Sequence, residues 1–183
     1  MNRRAKDNRR ERGSGLIVII MIVAFMLAVG MLLLTVTATS PKVSDSMRLQ
    51  GLAFDAAEAG FDSAWIVLND AFLNKVYSSF AGHYRTQFGG AEGLDNPLSP
   101  SYFRRLTDEQ IVADCIAHPD ITAIIFNSEP LATDPRCTFT VFLINDEPPG
   151  TVPADDKDCI LLCIGRGPRN TYKRLEIVIE AGS

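Results

Sequence analysis

The sequence lacks every short motif by which a familiar catalytic centre is recognised. It has no H-E-x-x-H, no phosphate-binding glycine loop, no G-x-S-x-G and no dinucleotide fingerprint. Only two histidines are present. His83 stands between a glycine and a tyrosine, and His118 precedes Pro119 at the end of an expected helix; neither setting meets the geometric roles of an active site. The four cysteines include no C-x-x-C pair, which argues against structural zinc. Internal repeats and low-complexity tracts are absent, and no charged or strongly polar residue interrupts Leu16 to Leu34. These absences exclude a conventional enzyme: no catalytic residue, metal ligand or cofactor is expected.

What is present begins with charge polarity. Residues 1–13 hold six Lys/Arg and two acids, whereas the remainder holds twelve basic and twenty acidic groups, within an overall net charge of −4. An acidic body of this kind has no electrostatic reason to bind nucleic acid. The basic leader abuts nineteen apolar residues, from Leu16 through Val18 and Phe25 to Leu34. Thirteen of these are Leu, Ile, Val or Phe, which at roughly −0.3 to −0.6 kcal/mol each favour a bilayer by about 4 to 8 kcal/mol. At ~1.5 Å per residue the run covers ~29 Å, the thickness of a hydrocarbon core. A basic flank predicts a cytoplasmic N-terminus and an exported C-terminal domain. The rival reading is a signal peptide cleaved after Val36-Thr37-Ala38, but the apolar run exceeds the usual length of such a segment.

Cys115, Cys137, Cys159 and Cys163 all fall in the half expected to be exported, where an even count favours disulfides. If Cys159 and Cys163 share a strand they lie ~13 Å apart on one face, beyond the ~7 Å Cα limit of a bridge. Each would then pair with Cys115 or Cys137; the alternative is buried free thiols.

The chain divides by pattern into a leader (1–13), an apolar half-helix (14–40), an amphipathic half-helix (41–76) and an exported globular region (77–183). Pro41 is expected to kink rather than end the helix. Phe54, Phe61, Trp65, Leu68 and Phe72 recur at helical spacing and are expected to form a core-facing stripe. Ala53, Ala56, Ala57, Ala59, Gly60 and Ala64 make the same segment slim enough for close packing. Residues 82–102, rich in Gly and Pro, read as a long loop whose aromatics Tyr84, Phe88, Tyr102 and Phe103 either face a partner or pack locally. Thr107-Asp108-Glu109-Gln110 is a capping box opening a short helix with Ile111, Val112, Cys115 and Ile116 on its apolar side. Strands are expected over Ile121–Phe126, Cys137–Asn145, Cys159–Gly165 and Thr171–Ala181. In the last, Leu175, Ile177 and Ile179 alternate with Arg174, Glu176 and Glu180, so one face is expected buried and the other wet. The fold class is therefore α+β, a long N-terminal helix laid on a small antiparallel meander. The acidic segment between Asp146 and Asp158 has carboxylates for calcium but not the spacing of a known loop, and reads as solvated.

Two features of this chain resemble type IV pilin-like proteins, and more narrowly the PilX-like minor pilins. Arg12-Gly13-Ser14-Gly15-Leu16 resembles the family's processing junction, and Ala53-Phe54-Asp55-Ala56-Ala57-Glu58-Ala59 its helix signature. A final hairpin with a Gly-rich turn at Gly165-Arg166-Gly167 is also typical of the family. The resemblance implies cleavage by a prepilin peptidase after Gly13, leaving Ser14 as a new N-terminus open to methylation. It implies storage as a single-pass inner-membrane protein with a periplasmic domain, then transfer to a filament. There Phe54, Ala57, Glu58, Phe61 and Trp65 lie in the packing half of the helix. The expected partners are other pilin-like subunits, the prepilin peptidase, the inner-membrane assembly machinery and the membrane. One departure stands out: the fifth mature position, glutamate in major pilins, is Val18. Its absence removes a carboxylate that costs ~2.5–3.5 kcal/mol at a bilayer centre, and suits a tip or priming subunit. A tip pseudopilin of type II secretion shares that absence, and a singly anchored interaction domain is the remaining alternative.

Overall fold

The computed structural model describes residues 7–119, 124–145 and 157–181. The chain divides after Ser46 into two units. Helix α1 is assigned over Asp7–Leu73, with helical backbone through Pro41. It ends three residues before the expected Val76. Lys75 takes a left-handed conformation (φ 58°), and the amides of Val76 and Lys75 return to the carbonyls of Ala71 and Phe72 at 2.9 and 3.1 Å. That is a Schellman closure with lysine where glycine is usual, so no glycine marks the stop in the sequence.

The second unit is α+β. Strands β3 (Ile124–Leu131), β4 (Asp134–Ile144), β5 (Asp158–Gly167) and β6 (Thr171–Glu180) form an antiparallel sheet in sequence order. The Gly/Pro-rich region carries a two-residue hairpin, β1 (Gln87–Phe88) and β2 (Ala91–Glu92), turned on Gly89 and Gly90 at positive φ. Helix α2 (Asp108–Ala117) opens on the expected capping box: the Thr107 side chain accepts from Gln110 N, and the Gln110 side chain accepts from Thr107 N.

The central strands are buried on both faces, which explains the unbroken apolar runs Val141–Ile144 and Ile160–Ile164. On one face Phe139, Val141, Leu143, Cys159, Leu161 and Cys163 pack against Ala64 and Leu68 of α1. On the other, Phe142, Ile144, Ile160, Leu162 and Ile164 pack against Ile111, Val112 and Cys115 of α2, together with Leu94 and Phe103. The loop aromatics therefore belong to the core: Phe103 is buried, Phe88 and Tyr102 pack on its cluster, and Tyr84 packs on the other.

Several expectations are corrected. Strand β3 continues to Leu131 past the expected end at Phe126, while Ile121–Ala123 lie outside the described residues. Its register shifts near Phe126 and Glu129, with Ser128 at φ 54° and its amide donating to the buried Thr140 hydroxyl at 3.1 Å. Asn127, Ser128 and Pro130 are thus bulge and edge-strand residues, tolerated because among the described residues β3 pairs on one side only. Ile116, expected on the apolar side of α2, is half exposed, and Asp114 is buried instead. Arg174, on the expected wet face of β6, is mostly covered, donating to Asp108 and to the carbonyls of Phe103 and Leu106.

Candidate functional site

Two surfaces and one buried cluster hold the residues singled out by sequence. The first surface belongs to the N-terminal unit. Gly15–Thr35 is a 21-residue helical stretch long and apolar enough to cross a membrane, and none of it is buried within the structure. Leu16, Val18, Phe25 and Leu34 are all exposed. Thr35 and Thr37 turn their hydroxyls inward, donating to the carbonyls of Met31 and Leu33 at 2.5 and 2.7 Å, so the polar end of the run satisfies itself. Gly13 and Ser14 lie on helical backbone at the head of this stretch.

The second surface is the C-terminal part of α1, and its inner face is made by small residues. Ala53, Ala56, Ala57 and Ala64 are fully buried. Their counterpart is Gly165 on β5, where an added Cβ would lie 2.5 Å from Ala57 N and closer still to the carbonyl oxygen of Ala53. Gly167 faces Leu49 O and the backbone and Cβ of Ala53 less tightly, with an added Cβ at 3.2–3.3 Å, and Gly60 approaches Phe139 and Val141. Helix backbone and strand backbone approach closely because neither carries a side chain larger than methyl there. This close fit corrects the expected stripe in part: Leu68 is buried and Phe61 and Phe72 pack against the core cluster, but Phe54 and Trp65 do not face it. Phe54 and Trp65 are 40% and 50% exposed, Ile66 and Val67 are exposed beside them, and Glu58 points to solvent. Phe61 is half-buried, tilted on Trp65 at 6.2 Å between ring centroids. Of the named packing residues, Ala57 alone is fully enclosed.

The cluster lies on the α2 side of the sheet. Arg85 is fully buried, forms an ion pair with Asp114, donates to Cys115 Sγ and lies over the Phe142 ring at 5.0 Å. The other Asp114 oxygen accepts from Gly89 N at 2.8 Å and lies 3.1 Å from His118 Nδ1. The backbone of Arg85 also donates to Leu143 O at 2.7 Å, which pins the loop to β4. Sequence reasoning missed both charged residues, although Asp114 three positions after Ile111 was a signal: an acid on an apolar stripe needs a buried cation.

The expected disulfides are not formed. All four cysteines are buried free thiols. Cys159 and Cys163 do share a face of β5, but Cys115 packs on the opposite side of the sheet. Cys137 lies four residues along β4 from Val141, the partner of Cys163, and so ~13 Å from it. Burial pushes the Cys115 thiol up to about 11, against the nearby Arg85 charge, and the Cys163 thiol up to about 12. Such thiols are inert at neutral pH. His83 is stacked on Tyr77 at 3.8 Å, and His118 caps α2. Most of the acidic segment considered for calcium lies outside the described residues; among those described, no cluster of three metal-ligating side chains occurs.

No protein-family model matches the chain, and neither any curated protein nor any solved structure is significantly similar to it.

Proposed function

We propose that this chain is a pilin-like subunit, a minor pilin or pseudopilin that serves the initiation or tip complex of a type IV pilus or related filament. The observation that carries the reading is helix α1. It bears a fully exposed 21-residue apolar run near one end and a small-residue face seated against an antiparallel sheet near the other. A monomer with so much bare apolar surface requires a lipid environment or contacts of the same chemistry from neighbours. The reading supplies both in turn: Gly15–Thr35 rests in the inner membrane first and among sister helices later. The Arg12-Gly13-Ser14 junction gives the peptidase its cleavage point, on the cytoplasmic side. Exposed Phe54, Trp65 and Ile66 extend the apolar surface available to other pilin-like subunits. Val18, in place of a carboxylate, makes the subunit easy to store and removes a charged contact that a repeating body would use.

Mass spectrometry of the mature N-terminus tests this directly. Ser14 as first residue, with Gly13→Ala blocking both its appearance and filament incorporation while membrane insertion persists, is the expected result. An intact Met1 on an otherwise stable, inserted protein refutes it and identifies a singly anchored domain.

A further inference from the structure

The two edges of the four-stranded sheet are unlike. On β3, Pro130, the left-handed Ser128 and three register shifts interrupt the edge, as exposed edges ordinarily are interrupted. On β6, ten residues pair with β5 in unbroken register, without proline, glycine or bulge. The amide of Ala181 donates to Lys157 O at 2.6 Å and continues that register. Bonding to β5 therefore falls on the odd-numbered residues of β6. Tyr172, Arg174, Glu176, Val178 and Glu180 point their N–H and C=O groups away from β5, and among the described residues no backbone group bonds them there.

The first half of this edge is partly guarded. Arg174 is held by Asp108 and the carbonyls of Phe103 and Leu106, and Glu176 by Arg104. The second half is bare: Val178 is 65% exposed and Glu180 is exposed. Beside it lies a cleft of about 610 Å³ between β6 and α1. Ile179 and Ala181 line the cleft from the strand, and Trp65, Phe72 and Tyr77 line it from across. Glu180 is the one charged residue of that lining.

An unpaired strand edge beside an apolar cleft specifies its ligand. The edge gives its main-chain hydrogen bonds to another extended backbone, and the cleft selects alternate side chains. We infer that the edge of β6 over 177–181 binds an extended segment of a partner polypeptide as an added strand, with an apolar side chain against Trp65 and a lysine or arginine opposite Glu180. Side chains of the added strand alternate between faces, so those on the α1 side enter the cleft and the others meet Val178 and Glu180. Beyond residue 13 the chain holds twenty Asp/Glu against twelve Lys/Arg, which favours a basic partner. Every residue of the site belongs to the unit Met47–Ser183, so the inference goes beyond the pilin reading and does not depend on the apolar run.

The probe is a blocked heptapeptide, leucine alternating with threonine between terminal lysines, added to the full chain in mild detergent. Trp65, the single tryptophan, reports binding through its emission, and NMR reads amide exchange residue by residue. In the free chain the Glu176 and Val178 amides should exchange ~10-fold or more faster than those of Ile177 and Ile179, and bound peptide should slow Val178 by a similar factor. N-methylation of the threonines should abolish binding of an antiparallel strand, and of the leucines that of a parallel one. Loss with neither, or with both alike, marks plain apolar adhesion and overturns the inference. Val178→Pro removes an outward N–H without touching a β5 bond and should abolish binding; if that variant fails to fold, the two N-methylated peptides still decide. Equal protection of odd and even amides before peptide is added also overturns it, because the edge is then already covered. So does concentration-dependent self-association that Val178→Pro removes, which gives the edge to a second copy.

Discussion

Gly165→Ala isolates the contact that seats α1 on the sheet. The new methyl would lie 2.5 Å from Ala57 N and nearer still to the carbonyl oxygen of Ala53, both backbone atoms of a helix that has no side chain to rotate away. Relief requires α1 to retreat by about 1 Å, and a gap of that size forfeits a quarter to a half of each atom-pair attraction along the interface. Ala53, Ala56, Ala57, Gly60 and Ala64 would all lose contact at once. Overpacking a core ordinarily costs ~1–3 kcal/mol, and a rigid backbone on both sides puts this site at the upper end, about 3 kcal/mol. The modest gain from replacing a strand glycine, ~0.5–1 kcal/mol, does not offset it. Gly60→Ala is the control. Its methyl meets Val141 Cγ2 at 3.0 Å and the Cβ and ring edge of Phe139 at 3.1 Å; Cγ2 and the ring can rotate, and the Cβ contact needs relief of only a few tenths of an ångström. The substitution also gains ~1 kcal/mol of helix propensity, so its net effect should fall within about 1 kcal/mol of zero. Urea unfolding of the full chain in mild detergent, followed by Trp65 fluorescence, measures both. With a slope of ~2 kcal/mol/M, Gly165→Ala should lower the midpoint by about 1.5 M. A midpoint within ~0.3 M of the parent, or a larger loss for Gly60→Ala, would refute the backbone-contact argument.

Three further outcomes follow from the buried groups and the helix cap. Asp114→Ala strands the Arg85 guanidinium in a fully enclosed site and should cost ~3–5 kcal/mol in the same unfolding assay, whereas R85M/D114L should recover most of it; a loss below ~1 kcal/mol would dismiss the clamp. At pH 8 iodoacetamide should leave all four thiols intact for hours in the native protein and label four once it is unfolded without reductant. The thiolate fraction of Cys115, three units below its raised pKa of about 11, is ~0.1%. Failure of the unfolded, unreduced chain to label would establish the bridges that the structure lacks. Thr107→Ala should lower stability by ~1 kcal/mol through loss of the reciprocal cap, and an unchanged thermal midpoint would dismiss that cap as a contributor.

Periodicity served well where one face of an element decides its neighbours. Leu175, Ile177 and Ile179 marked β6 by alternation, and Thr107 with Gln110 marked the start of α2. It misled where size mattered more than polarity. Phe54 and Trp65 fit a helical stripe, yet the glycines on β5 admit the alanine side of α1, so these two are turned outward while Phe61, Leu68 and Phe72 keep to the core. That reversal depends on Gly165 lying opposite Ala53 and Ala57, a pairing more than a hundred residues apart that no local pattern encodes. The Arg85–Asp114 pair was hidden for a related reason: Arg85 sits in a stretch rich in turn residues, where solvation is the ordinary expectation for a cation. Thiol pairing was inferred from compartment and parity, neither of which knows that the sheet separates Cys115 from Cys159 and Cys163.

The meander has a bearing on how the domain is born. Each of its four strands bonds only to the one made just before or just after it, so no long excursion must close before pairing begins. If the chain is inserted as it is made, with its N-terminus held on the cytoplasmic side, its rod is already lodged while the sheet grows by one ribbon per hairpin. The slot that grips the rod, the glycines of the third ribbon, comes into being only near the finish. Until then the alanine face has nothing to sit in, and a chaperone or a sister subunit has its brief opportunity there.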